Sequence, residues 1–167
     1  MINKEPCKCP KILIADDEPF NLIALEGLLH QFNVGSVDKA YHGKEALQKI
    51  ELNLTQGSNS CGQFHRPYKL IMLDKNMPVL DGVDAALIFK RWVKEGRITH
   101  RVKLALVTGD ETIIEKEYDK SLFDFVLIKP IAQNNVCTIL IKSRLLDSAY
   151  MNRGELSQIA SKMSVQT

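Results

Sequence analysis

Residues 69–82 read Lys69-Leu-Ile-Met-Leu-Asp74-Lys-Asn-Met-Pro-Val-Leu-Asp-Gly82. The stretch opens on a continuous apolar run, ends that run in a carboxylate, and passes into turn-forming residues. A short segment apolar at nearly every position reads as a strand buried on both faces, which is how strands of a helix-covered parallel sheet look. Outward from Lys69–Leu73 the same pattern recurs at Lys11–Ala15, Val102–Val107 and Asp124–Ile128. Ser36–Ala40 is a weaker fifth strand, carrying charge at Asp38 and Lys39 as an edge strand does.

Helical spacing fills the gaps: Leu22, Leu25, Leu29 and Phe32; then Ala46, Leu47, Ile50 and Leu54; then Val83, Ala86, Leu87 and Val93. A shorter helix fits Thr112–Tyr118, and Val136, Ile139 and Leu140 begin a last one. Strand and helix alternate, so the expected architecture is a doubly wound α/β domain of five βα units. Sites in such sheets form outside the carboxyl ends of the strands, where strand order reverses.

A chain of 167 residues that is 45% hydrophobic holds one core. With 25% charged residues and a net charge of +2, no strong field marks nucleic acid or an anionic membrane as a partner. No apolar run approaches the roughly 20 residues that span a bilayer, and residues 1–10 lack a secretory core, so a cytoplasmic segment is expected, alone or within a larger membrane-bound protein. Cys7, Cys9, Cys61 and Cys137 are scattered and read as reduced thiols; no second Cys or His pair stands beside Cys7/Cys9 at ligand spacing, so zinc is not expected. Residues 1–10 read as an extension, 11–147 as the domain, Gln56–Tyr68 as an extended surface loop, and 148–167 as a polar tail or a short linker helix on Leu156, Ile159, Ala160 and Met163.

The residues after each strand carry the chemistry. Strand one ends in Asp16-Asp17-Glu18, strand three in Asp74, strand four in Thr108, and strand five in Lys129-Pro130. Each alone has a structural explanation: Asp17 as a helix N-cap before Pro19, Asp74 as a turn opener, Thr108 as a strand end, Lys129 as a solvated loop residue. A parallel sheet nevertheless converges all of them on one rim. Three carboxylates crowded there repel one another unless a cation holds them. Mg²⁺ suits such a set, being a hard ion held by a few carboxylates plus phosphate oxygens. In this reading Asp16 and Asp17 hold the metal, and Asp74 is both ligand and nucleophile toward a phosphoryl group. Lys129 offsets charge, and Thr108 supplies a hydroxyl.

The segments Lys11-Ile-Leu-Ile-Ala-Asp-Asp-Glu18, Leu73-Asp-Lys-Asn-Met-Pro-Val-Leu-Asp-Gly82, Val107-Thr108 and Leu127-Ile-Lys-Pro130 resemble the successive motifs of the receiver (response regulator) family, and Ala40-Tyr-His-Gly-Lys-Glu-Ala-Leu47 is similar to its second strand–helix junction. The likeness covers roughly residues 10–147, and Asp17-Glu-Pro-Phe-Asn21 looks like receivers attached to hybrid histidine kinases. The resemblance implies a flavodoxin-like sheet of order 2-1-3-4-5 and a non-enzymatic phosphoacceptor of two-component signalling. It implies Asp74 as acceptor, with Asp16, Asp17, Asp74 and the Asn76 backbone carbonyl as Mg²⁺ ligands. Thr108 becomes the switch hydroxyl, and Lys129 the family's lysine. Partners implied are a histidine kinase or a histidine phosphotransfer protein, with a weak dimer through the helix 4, strand 5 and helix 5 face. Two positions depart from the family: Gly109 follows Thr108 where alanine is commoner, and Val126 stands where many members carry an aromatic residue.

A haloacid-dehalogenase-like Mg²⁺ phosphatase is the competing enzyme reading, but it wants Asp-x-Asp after its first strand, and Asn76 occupies the second position after Asp74 while Asp81 reads as an N-cap. A flavin module wants a phosphate-binding loop where Asp16-Asp17-Glu18 would repel phosphate. A receiver that only binds partners should have lost an acid, the acceptor or the lysine, and none is lost. A histidine phosphotransfer protein is all helical, and His30, His42, His65 and His100 read as surface or helix-end residues.

Overall fold

Five strands, β1 (Ile12–Ala15), β2 (Asp38–Ala40), β3 (Leu70–Asp74), β4 (Lys103–Thr108) and β5 (Phe125–Ile128), form one sheet in the order β2-β1-β3-β4-β5, with every neighbouring pair parallel. This is the computed structural model of the protein, and it describes residues 7–56, 61, 65–114 and 121–149. Helices α1 (Pro19–His30), α2 (Gly43–Glu51), α3 (Gly82–Lys94) and α4 (Gln133–Lys142) cover both faces. The doubly wound five-stranded sheet expected from the apolar runs is therefore the one observed.

Period-two alternation divides each strand between two cores. Leu13, Ala15, Ile71, Leu73, Leu104 and Leu106 pack with α2 and α3, whereas Ile12, Ile14, Leu70, Met72, Ala105 and Val107 pack with α1 and α4. Both faces are covered, so the strands read as continuous apolar runs, with β1 and β3 buried at every position.

Some expectations shift. The strands begin one residue late, at Ile12, Leu70, Lys103 and Phe125, while β3 and β4 run on to include Asp74 and Thr108. The edge strand shrinks to Asp38–Ala40 because it pairs with β1 over those three residues. In α3 the buried stripe is Gly82, Ala85, Ala86 and Phe89, leaving Leu87 and Val93 exposed; small residues sit inward because the helix runs close to the sheet. Of the helix expected at Thr112–Tyr118, the described residues show a 3-10 turn at Glu111–Ile114; the remainder of that segment lies outside the described residues, as does Leu156–Met163. A π-helical turn, Leu52–Gln56, extends α2 and buries Leu54.

The Asp81-Gly82 pair starts α3. Asp81 caps it, accepting from the Asp84 N–H at 2.8 Å. A Cβ on Gly82 would stand 2.2 Å from the Asp74 carbonyl oxygen, a backbone atom that no rotamer change can remove. Gly82→Ala is therefore expected to cost about 1–3 kcal/mol by overpacking against the strand end that carries Asp74. A denaturant midpoint equal to wild type would show that the α3 start is free to move away.

Candidate functional site

Strand register sets the site. Ala15 pairs with Leu73, so Asp16 and Asp74 leave the sheet at the same level. Asp74 pairs with Val107 and Thr108 with Ile128, which brings Thr108 and Lys129 onto the same rim. The crevice lies between β1 and β3, where the chain, having added β2 on one side, crosses to add β3 on the other.

Carboxylate oxygens of Asp16, Asp17 and Asp74 all lie within 4.8 Å of one another. Asp16 and Asp74 are buried, and Asp17 is exposed. Asp17 does not cap α1; Glu18 holds the N-cap position, without a side-chain cap bond. That leaves the Asp17 carboxylate at the mouth of the crevice.

Lys129 bridges the two buried acids, with its Nζ 2.6 Å from Asp16 Oδ2 and 2.7 Å from Asp74 Oδ1. The cation that the crowded acids require is thus partly supplied by the chain itself. Three carboxylates against one ammonium still leave two negative charges when all are ionised. Three hard oxygen donors with that residual charge fit a divalent ion such as Mg²⁺.

The two buried acids differ. Asp16 is tied down, its Oδ1 accepting from the Glu18 N–H at 2.9 Å and from Asn21 Nδ2 at 3.1 Å. Burial pushes the Asp74 carboxyl above its usual range, opposed by Lys129 and the Asn76 N–H, which donates to Asp74 Oδ2 at 3.1 Å. Burial lowers Lys129, but its bonds to Asp16 and Asp74 outweigh that and hold it above the usual lysine value. The Lys129–Pro130 peptide is cis.

Thr108 is buried, and its Oγ1 accepts from the Asp110 N–H at 3.1 Å. Asp110 ties the loop after β4 to the loop after β3: it takes Lys75 Nζ at 3.3 Å on Oδ2, and the Thr112 hydroxyl at 2.7 Å and Thr112 N–H at 3.0 Å on Oδ1. The site residues named from sequence, Asp16, Asp17, Asp74, Thr108 and Lys129, therefore converge, with Asn76 two residues past Asp74. Sequence reading missed the positioning roles of Asn21, Lys75 and Asp110; Asn21 and Lys75 stood in noted motifs, and Asp110 did not. Asp81 is occupied as a helix cap, which removes the second acid a phosphatase reading needs.

Three of the cysteines, far apart along the sequence, are brought together in the fold: Cys7, Cys9 and Cys61 meet His65, with potential ligand atoms all within 4.8 Å of one another. The spacing Cys61-x-x-x-His65 was available in the sequence but lies 52 positions from Cys9, so looking only beside Cys7/Cys9 passed over it.

A sequence model of the family described as "Response regulator receiver domain" matches residues 12–141. The sensor histidine kinase GacS of Pseudomonas protegens is 26% identical over 137 residues, covering 81% of this chain and 13% of the kinase. The two-component response regulator ORR41 of Oryza sativa subsp. japonica is 26% identical over 139 residues, covering 83% of this chain and 97% of that protein. Among solved structures, the receiver domain of the histidine kinase CKI1 from Arabidopsis thaliana complexed with Mg²⁺ superimposes with a TM-score of 0.65 at 25% identity, covering 78% of this chain and 91% of that one.

Proposed function

Given that the chain belongs to the response regulator receiver domain family of two-component signalling, we propose that Asp74 is its phosphoacceptor. The observation that carries this is a buried carboxylate at the end of a central strand, held 2.7 Å from Lys129 and grouped with Asp16 and Asp17. The donor is a phosphohistidine on a histidine kinase or a histidine phosphotransfer protein.

An Asp74 oxygen attacks phosphorus in line. The new P–O bond forms an acyl phosphate as the P–N bond breaks, and its electron pair returns to the donor imidazole. Asp16, Asp17, Asp74 and the Asn76 carbonyl would hold Mg²⁺, which supplies positive charge against the phosphoryl oxygens. Lys129 already faces the Asp74 oxygens and follows the charge outward as a compact ammonium. Asp16 keeps its shape during the step because Asn21 and the Glu18 N–H hold its other oxygen.

Exposure to a small-molecule phosphodonor, followed by intact-mass measurement, tests the reading. One phosphoryl group is expected with Mg²⁺ and very little without, and the label should be lost in base and kept in acid. Labelling that is indifferent to Mg²⁺, or stable in base, would contradict it.

Signal output runs through Thr108. Drawing its hydroxyl toward the phosphoryl oxygens disturbs the Asp110 N–H bond and with it the Thr112 and Lys75 contacts of Asp110. Thr108→Ala is therefore expected still to accept phosphate on Asp74, which remains intact as the nucleophile. Most of the change in hydrogen exchange over residues 109–112 should be lost. Val126, exposed on β5 and β-branched, is expected to keep its rotamer. A full loop response in the Thr108→Ala protein would break this coupling.

A further inference from the structure

The amino ends of β1 and β3, the sheet edge away from Asp16 and Asp74, carry a second cluster. Cys9 Sγ lies 3.3 Å from Cys61 Sγ, which lies 3.4 Å from Cys7 Sγ, and Cys7 Sγ lies 4.0 Å from His65 Nδ1. All four residues are partly buried. From these contacts we infer that Cys7, Cys9, Cys61 and His65 form a structural zinc site that fastens the segment before β1 to the loop before β3.

Ligand number and spacing favour zinc over a disulfide. Zn–S bonds of about 2.3 Å and Zn–N bonds of about 2.0–2.1 Å in a tetrahedron place ligand atoms roughly 3.5–3.8 Å apart. The observed separations bracket that range, whereas a disulfide needs sulfurs about 2.05 Å apart. A disulfide would also use two of the four groups and leave a thiol and an imidazole gathered for no purpose. Four protein ligands leave no open position, so the site is structural and not catalytic.

The surroundings are built for a metal-bound imidazole and thiolate. His65 Nε2 lies 3.0 Å from the Asn53 carbonyl oxygen. A carbonyl only accepts, so Nε2 carries the proton, and in the neutral ring Nδ1 is left as a lone pair facing the sulfurs. An outer hydrogen bond of this kind orients a metal-ligating histidine. Asn53 is itself fixed, its Oδ1 accepting from the Tyr68 N–H at 2.7 Å. The Arg66 N–H donates to Cys7 Sγ at 3.4 Å, a bond that favours sulfur as thiolate.

Zinc binding releases the thiol protons to solvent and changes no oxidation state. Its consequence is mechanical. Cys61 and His65, ahead of β3, gain a cross-link to Cys7 and Cys9, and the link is continuous with the core through Tyr68, which is buried and bonds Asp38 at the start of β2.

Metal content of the full chain, purified under reducing conditions without chelator, tests the site. About one zinc per chain is expected, retained in Cys137→Ser, whose cysteine lies outside the cluster, and reduced to near zero in Cys61→Ser and His65→Ala. Replacing zinc with Co²⁺ should produce the visible bands of a tetrahedral thiolate-bound ion. His65→Cys should restore binding with a shifted spectrum. If the serine variants fail to fold, the Co²⁺ spectrum of the wild-type chain decides. A reduced wild-type chain that holds neither zinc nor Co²⁺ would overturn the assignment. So would an intact mass two protons light that resists metal loading, marking a disulfide, or an equal loss of zinc in Cys137→Ser.

Discussion

The Asp74→Asn protein is expected to gain no phosphoryl group from a small-molecule phosphodonor in Mg²⁺, a loss on the order of 10³-fold or more in rate. An amide in the same place keeps the shape of the β3 end but offers no anionic oxygen to attack phosphorus. Asp17, Asp81, Asp84 and Asp110 remain in the variant, so labelling at the wild-type rate would place the acceptor among them and defeat the assignment. A second readout separates chemistry from collapse. Burial raises the Asp74 pKa in the folded protein, so the ionised carboxylate opposes folding. That cost is absent below its unfolded value, about 3.9, and grows as pH rises through the interval up to the folded value. Metal-free Asp74→Asn should therefore melt above wild type at neutral pH and approach it in acid. A variant that neither labels nor folds would show a lower midpoint instead.

Lys129→Met is expected to destabilise the metal-free protein by about 2–3 kcal/mol, because it strips Asp16 and Asp74 of the cation they share. The value lies below the ~3–5 kcal/mol of a fully buried broken pair because the lysine side chain keeps 28% of its exposure. Phosphorylation should slow by about 10²–10³-fold, the effect of removing one positioned donor from developing charge. Adding Mg²⁺ should raise the melting midpoint of the variant more than that of wild type, since a divalent cation replaces part of what the ammonium supplied. The pH dependence has a definite sign. Lys129 is raised in the folded state, so its contribution is full below the unfolded lysine value near 10.4. It is lost as pH rises through the folded value, and the variant should lack that alkaline loss. Unchanged stability together with an unchanged labelling rate would remove Lys129 from the site.

Much of this protein was legible in one dimension. The apolar runs Lys11–Ala15, Lys69–Leu73, Val102–Val107 and Asp124–Ile128 mark four of the strands to within a residue at each end, because a parallel sheet covered on both sides favours apolar residues on both faces of a strand. Asp16, Asp74, Thr108 and Lys129 follow from topology alone, since parallel strands deliver their carboxyl ends to one rim. What those residues do to each other was decided in three dimensions. Lys129 and Asp16 are separated by 113 positions yet meet at 2.6 Å, and no local pattern states that the lysine holds both buried acids before any metal or phosphate arrives. The inward face of α3 likewise depends on how closely Gly82 lets the helix approach the Asp74 carbonyl, which hydrophobic spacing does not encode. Cys7, Cys9, Cys61 and His65 carry no periodicity at all. They meet because the Lys69 N–H pairs with the Lys11 carbonyl and holds the segment before β3 against the segment before β1. Periodicity records which side of an element faces the core, whereas a meeting of side chains far apart in the chain exists only after the sheet has set its register.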